Sequence, residues 1–591
     1  MLTLAACGGG GGGSSAGSSG ATAPISSGSG GSTGSTGSSG SGGSTSGGAT
    51  LPESTPAPAA PVEPSLPPVT AADATTRPTR QAAAQFLAQA TFGPTAASID
   101  ELAASSKAEW LNAQFQMAPS QHRNNVVLAA AAGVTIGQNQ AYESFWKQAV
   151  TGDDQLRQRV AFALSQIFVV SIVGSELATR PEGVASYYDM LGQNAFGNFR
   201  TLLENVALHP MMGLYMSHLR NKKESGTRVP DENFAREVMQ LMTIGLYQLN
   251  QDGSNKLSGG QPVETYSHED VMGLAKVFTG WSWAGPDQST TRFNGGNAYA
   301  ARDWTPMQQY PAFHSTASKS FLGATTNGSG EADLKVALDT LFNHPNVGPF
   351  IGRQLIQRLV SSNPSPAYVS RVAGVFNNNG AGVRGDMRAV IRAILLDPEA
   401  PATGNAKKLR EPILRLAHWM RAFNAKSTTG RFMMANTDDP MTSLGQTPFR
   451  APSVFNYFRP GYTPPNTALS SAGMVAPEMQ ITGEPSVTGY LNYMQTAVQY
   501  GVGGNRDIMP DYSAELALAE QPAQLVDRVN LLLLAGQMSS TLRNQLITAL
   551  NAVNLPAATA NNSGTVETAR KNRVYLAVYL TMASPEYLAQ R

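Results

Sequence analysis

The chain has 591 residues, with 42 basic and 41 acidic side chains, so it lacks the polybasic footprint of a nucleic-acid binder. Charged residues are only 14% of it, against about 25% in an average soluble protein, which suits work outside the cytoplasm. A single cysteine, Cys7, excludes an intramolecular disulfide, a four-cysteine zinc site and c-type haem attachment; no apolar run of about 18 residues predicts a spanning helix.

Residues 1–7 read MLTLAAC. Leu4-Ala5-Ala6-Cys7 resembles the lipobox of bacterial lipoproteins, in which the cysteine thiol is acylated after cleavage. Ala5 and Ala6 suit a signal-peptidase pocket. The six residues before Cys7 hold no basic or apolar signal region, so the signal reads as truncated or the start as too late. Gly8 in place of aspartate predicts the outer membrane, with the periplasm as the alternative. Residues 8–50 are almost all Gly, Ser, Thr and Ala, and residues 51–78 are Pro-rich. Such composition cannot bury enough apolar surface to fold, so residues 8–78 are expected to form a disordered tether.

From residue 79 to 591 the pattern is helical. Residues 82–92 form a short helix ending at Gly93-Pro94. Ser98 and Glu101 read as a capping box opening a helix through Trp110 and Phe115. Residues 153–173 place Leu156, Val160, Ala163, Leu164, Ile167 and Val170 at spacings of three and four, and 196–208 repeats the theme. Residues 230–281 hold the densest polar cluster. Phe234, Val238, Leu241 and Gly245 make an apolar stripe there, and Glu232, Asn233, Arg236, Glu237 and Gln240 a polar one. Further helices are predicted at 331–343, 347–360, 366–376, 384–396, 408–423, 522–534, 540–553 and 566–582. No stretch alternates as a strand bounded by hairpin turns. The expected fold is all-α: a large multi-helix body with two long loops, 282–330 and 426–486. Their aromatics and prolines predict ordered, packed loops.

Motifs in order through this body carry a resemblance. They run from Phe86-Leu-Ala-Gln-Ala-Thr-Phe-Gly-Pro94 through Tyr188-Asp-Met-Leu191 and Ala195-Phe-Gly-Asn-Phe-Arg200. His209-Pro-Met-Met-Gly213, Asp231-Glu-Asn-Phe-Ala-Arg-Glu237 and Val277-Phe-Thr-Gly-Trp281 follow. His344-Pro-Asn-Val347, Arg410-Glu-Pro412 and Ser453-Val-Phe-Asn-Tyr457 complete the set. The body resembles the bacterial family known as domain of unknown function 1800. The resemblance implies an exported protein without an established activity. It also implies a partner of a second family, numbered 1501, that resembles alkaline-phosphatase-like proteins.

Candidate chemistry rests on few residues, because the chain has only seven histidines. His209, His268 and His314 could converge with Glu232 and Glu237 into an open site for a divalent metal that activates water; capping and salt bridges are the plainer account. His209, Met212 and Met216 could hold copper, since soft ligands select Cu(I); a Met-filled core explains them equally simply. Glu232 and Arg236, spaced i,i+4, read as a helix-face pair or as a buried network with Glu232 or Glu237 as acid or base. His268-Glu269 lacks the second histidine of a zinc-protease helix. Residues 249–254 read as a turn, because Gly259 stands where a calcium loop needs glutamate. No P-loop, Rossmann fingerprint or nucleophile elbow occurs in the body. The leading expectation is an envelope lipoprotein that binds a protein partner or polymer. The alternatives are a metal-assisted hydrolase and periplasmic copper handling.

Overall fold

The computed structural model describes residues 75–401 and 407–590. The lipobox at Cys7 and nearly all of the expected tether lie outside these residues. The described part is mostly helical, as expected, and its strands are pairs of two or three residues each.

Local capping sets many helix starts. Thr79 caps Arg80–Ala90 by accepting from Ala82 N. The capping box expected at Ser98 is displaced. Thr95 is the cap of Ala96–Ala103, and Ser98 is its third residue, bonding back to Thr95 N. Ser106 and Glu109 form a second box and open Lys107–Gln116, so the single expected helix is two. The expected helix over 153–173 is Gln155–Ser165. It closes with a turn at Gln166 and Ile167, and beyond it the chain bonds to a distant loop: Ser171 Oγ donates to Ala451 O and Ile172 N to Phe449 O.

Gln155–Ser165 sits at the centre. It packs on Lys107–Gln116, Gln138–Thr151, Pro181–Asn194 and Val347–Leu359. The C-terminal helices Pro522–Leu534, Ser540–Ala552 and Ser563–Ala583 pack together, with Glu484–Tyr500 against the last. Pro412–Ala422 joins the two groups by contacting both Gln138–Thr151 and Pro522–Leu534. Ala589–Gln590 pairs antiparallel with Lys408–Leu409, and Gln590 Nε2 reaches Leu359 O and Val360 O. This brings the chain end beside the end of Val347–Leu359.

Both long loops are packed. In the first, Trp281–Ser282 pairs with Gln308–Gln309, and the hairpin Lys319–Phe321/Ala324–Thr326 lies on helix His268–Val277. The approach is so close that a Cβ on Gly273 would sit 1.8 Å from Ser320 O. In the second, the Asp507 carboxylate gathers Ser427, Thr428, Thr429 and Met433.

Candidate functional site

The sequence-predicted residues do not share one site. His209 caps Pro210–Tyr215. Its Nδ1 accepts from Met211 N at 3.2 Å, and its Nε2 meets Ser186 Oγ at 3.2 Å. Burial holds it neutral, with its pKa lowered to about 3. His314 Nδ1 lies 2.8 Å from Thr279 O, and its Nε2 lies 2.9 Å from Asp333 Oδ2. Both nitrogens of each ring are thus engaged. His268 is an exposed first residue of His268–Val277, whose box is closed by Ser267 and Asp270. Among the described residues no group of three or more His, Cys, Asp or Glu side chains is placed to hold a metal ion. Of the three expected metal ligands, His209 and His314 are thus buried in hydrogen bonds and His268 lies at the surface. Met212 and Met216 are fully packed in the core, and His209 has no nitrogen free to join them around copper.

The polar face of residues 232–240 also divides. The helix is Asn233–Gln240, begun by Asp231, whose Oδ1 accepts from Asn233 N. Glu232 and Arg236 pair at 2.8 Å and stay 38% and 37% exposed, a rim contact of modest strength. Glu237, expected on the polar face, is on the buried one at 8% exposure. Its Oε2 has no hydrogen-bond partner. Burial raises its pKa, with Arg236 opposing. Asn233 turns away from Glu237 and reaches Ser217 Oγ at 3.4 Å.

The cavity with a coherent chemical lining begins where this helix ends. A cleft of about 430 Å³ is bounded by Gln240, Leu241 and the arm 245–255, by helix Val347–Leu359, by loop 454–461 and by residues 166–167. That volume lies in the range of small-molecule sites. Asn346, fully buried, fixes the arm to the helix: its Nδ2 donates to Ile244 O at 2.7 Å and Tyr247 O at 2.8 Å, and its Oδ1 accepts from Leu249 N at 2.9 Å. Gln357 Nε2 donates to Pro460 O at 3.2 Å and so holds the loop. Arg358 Nη2 donates to Gln166 O at 3.0 Å and holds the remaining wall. Phe350, Phe455, Val454, Leu241 and Leu249 supply apolar walls. At the mouth, Leu246 and Tyr247 are 49% and 41% exposed.

Behind the cleft lies a buried charged layer. Arg159 Nη2 donates to Arg358 O at 2.5 Å. Glu411 Oε2 accepts from Gln166 at 2.6 Å and Gln446 at 2.7 Å. Lys408 bridges Glu478, at 3.0 Å, to the carbonyls of Gln357 and Arg358. Burial brings the Arg358 guanidinium down to about 10, against the pull of Glu411 and Glu478, so it stays charged at neutral pH. Five buried polar atoms in and beside this layer have no hydrogen-bond partner: Arg358 Nε, Gln354 Nε2, Gln357 Oε1, Gln166 Oε1 and Glu411 Oε1.

The family described as protein of unknown function (DUF1800) matches residues 85–589. The chain belongs to this family. No curated protein and no solved structure matches it.

Several DUF1800-like motifs noted above now have a place. His344–Val347 supplies the Asn346 clamp, Ser453–Tyr457 supplies Val454 and Phe455, and Arg410–Pro412 supplies Glu411. The loop that carries these walls is held in unusual backbone: Phe449 and Asn456 have φ of 63° and 62°, a sparsely populated region for a bulky ring. Phe449 is wedged between Tyr188, at 5.2 Å, and Phe145, at 6.2 Å. Arg353, Arg358, Arg459, Gln166, Gln354 and Gln357 of this DUF1800 cleft were not singled out from the sequence; Gln240 was. Polar residues recurring within the apolar period of 347–360 were the available signal.

Proposed function

We propose that the protein is a recognition protein of the bacterial cell envelope that holds its ligand in the cleft between arm 245–255, helix Val347–Leu359 and loop 454–461. The observation that carries this reading is the composition of the cleft wall. Its described lining contains arginines, amides, one tyrosine and apolar side chains, and no Asp, Glu, His, Cys, Ser, Thr or Lys. Such a wall binds and orients but offers no carboxylate, imidazole or thiol for acid–base or nucleophilic work. The exposed Leu246 and Tyr247 at its mouth support a binding role, since exposed apolar groups beside a cavity favour capture of a ligand. The hydrolase and copper readings have no comparable support, because His209 and His314 are committed to capping and buried hydrogen bonds and His268 lies exposed at a helix start.

The envelope setting is proposed from Cys7 as a lipidation site and the Gly/Ser- and Pro-rich stretch after it. The proposed protein partner belongs to the family numbered 1501. A photo-crosslinking residue at Leu246, introduced in the full chain in cells, tests the cleft. An adduct on the tryptic peptide is expected. Gly461→Trp should abolish it, because a Cβ at Gly461 meets nothing within 4 Å and the indole would fill the cleft. Gly564→Trp, equally open, should leave it unchanged. No adduct, or the same adduct from a residue placed at the exposed Leu128, would contradict the reading. In the same cells Cys7→Ser should move the chain from the membrane to the soluble fraction; unchanged fractionation would remove the anchor.

A further inference from the structure

We infer that the ligand of this cleft is an organic anion, an apolar alkyl or aryl body carrying one carboxylate or phosphate. The inference rests on the recognition reading above and names the chemistry that the cleft selects.

Three arginines line the cleft, and no acidic side chain does. In the rest of the protein arginines are commonly paired: Arg371 with Asp397 and Glu399, Arg431 with Glu143, Arg528 with Glu515 and Arg543 with Asp527. The two at the cleft mouth differ. Arg353 has no hydrogen bond or ion pair with any described residue. Arg459 lies over the Phe455 ring at 4.5 Å, with no carboxylate partner. The contact with Phe455 holds the Arg459 guanidinium against the ring, and its N–H groups have no hydrogen-bond partner among the described residues. A guanidinium with unpaired N–H groups is suited to accept a carboxylate or phosphate through two parallel hydrogen bonds.

The floor repeats the sign. Arg358 is 5% exposed and its Nε has no partner; Gln354 is 7% exposed and its Nε2 has none. Both are donors, and both residues line the cleft. Glu411 and Glu478 offset part of the buried positive charge from the far side of the layer. They do not reach the cleft wall, so its field stays positive. A low-dielectric wall strengthens that field.

Charge alone would suit inorganic phosphate. The walls argue for more. Phe350, Phe455, Leu241, Leu249 and Val454 present mostly carbon, and Leu246 and Tyr247 extend that surface outward. A small hydrated anion would leave this carbon against water. An amphipathic anion covers it and places its charged end among the arginines, which adds apolar burial to charge-assisted hydrogen bonds.

The test uses the full chain and four probes below their micelle concentrations: decanoate, decyl phosphate, decanol and decyltrimethylammonium. Binding is read by calorimetry at low and moderate salt. Decanoate or decyl phosphate is expected to bind and to weaken with salt, and their ratio reports which head group the arginines prefer. The exposed double variant Arg353→Gln/Arg459→Gln should weaken the anion by about tenfold or more, as expected for loss of charge-assisted bonds. Gly461→Trp should abolish binding, and decyltrimethylammonium should not bind. Equal binding of decanol and decanoate, with no effect of the double variant, would overturn the anion inference. The same holds if none of the four binds. In either case a Leu246 adduct that Gly461→Trp removes would still uphold the cleft as the recognition site. A failed adduct together with failed probes would remove both.

Discussion

Lys319 and Asp333 are both fully buried and meet at 2.7 Å. Burial alone would raise the Asp333 carboxyl. Hydrogen bonds from Lys319, Thr326, His314 and Gly328 N bring it down to about 2 instead. His314 therefore belongs to a network that fastens the first long loop. Asp333→Asn should destabilise the chain by ~3–5 kcal/mol, because it strands a buried ammonium. Chemical denaturation checks this, and ligand capture at the cleft should survive in the folded fraction; a change under about 1 kcal/mol would contradict the network. The buried histidines set the acid response. His209 and His418 are lowered by burial to about 3, and His218 to about 4, from the ordinary 6.5. Between these values the unfolded chain binds protons that the folded chain does not, so stability rises with pH across the interval. Their full contribution is present above pH about 6.5 and is lost as the pH falls toward 4. The Tm should decline over that window, and His209→Gln should flatten part of the decline. The Asp333 carboxyl is also depressed, from an ordinary value near 4, so its contribution is lost lower, from about pH 4 downward. A Tm flat from pH 7 to 4.5 would contradict this assignment.

Among elements, the arm at 245–255 defines the mouth. Gly245 has φ of +71°, and a Cβ there would lie 2.8 Å from Phe350 Cε2. Gly245→Ala should cost ~1–3 kcal/mol through backbone strain and push Phe350 into the cleft. It should therefore weaken capture at Leu246 more than Gly253→Ala, a cleft-lining glycine whose added carbon meets Val369, itself outside the lining, at 3.0 Å. The reverse order would contradict this geometry. Periodicity made much of the fold legible, because helices with one apolar face, such as 347–360, announce themselves at spacings of three and four. It found Gln155–Ser165 but overran its C-terminus, and it gave no sign that this helix is buried all round, with Arg157 bonded to the carbonyls of Gly192 and Met117 and Arg159 to that of Arg358. Pro181–Asn194 and Glu484–Tyr500 were not singled out. Both mix tyrosine, glycine and polar residues on the face that packs, so the apolar period is weak. The site was legible only in part. Residues 230–245 supply Gln240, Leu241 and Gly245 to the cleft. Its arginines come from helix Val347–Leu359 and loop 454–461, more than 100 positions away. Local patterns cannot reveal that residues so distant share a wall.

For the whole molecule, a helical DUF1800 body follows a stretch proposed as a lipid-anchored tether. Charge is nearly balanced over the chain, +1 in all, so the positive field of the cleft is local and not a property of the surface at large. Arg353 and Arg459 are its exposed part, and Arg358 with Arg159 its buried part. A positive cleft in an otherwise neutral body favours selective capture of anions without general attraction to nucleic acid. The measurement that tests the central claim most directly is amide hydrogen exchange across the full chain with and without decanoate. The account predicts slowed exchange in residues 240–255, 350–358 and 454–461, with no change at 209–218 or 314–333. Protection confined to 209–218 or 314–333, or spread evenly over the chain, would contradict it.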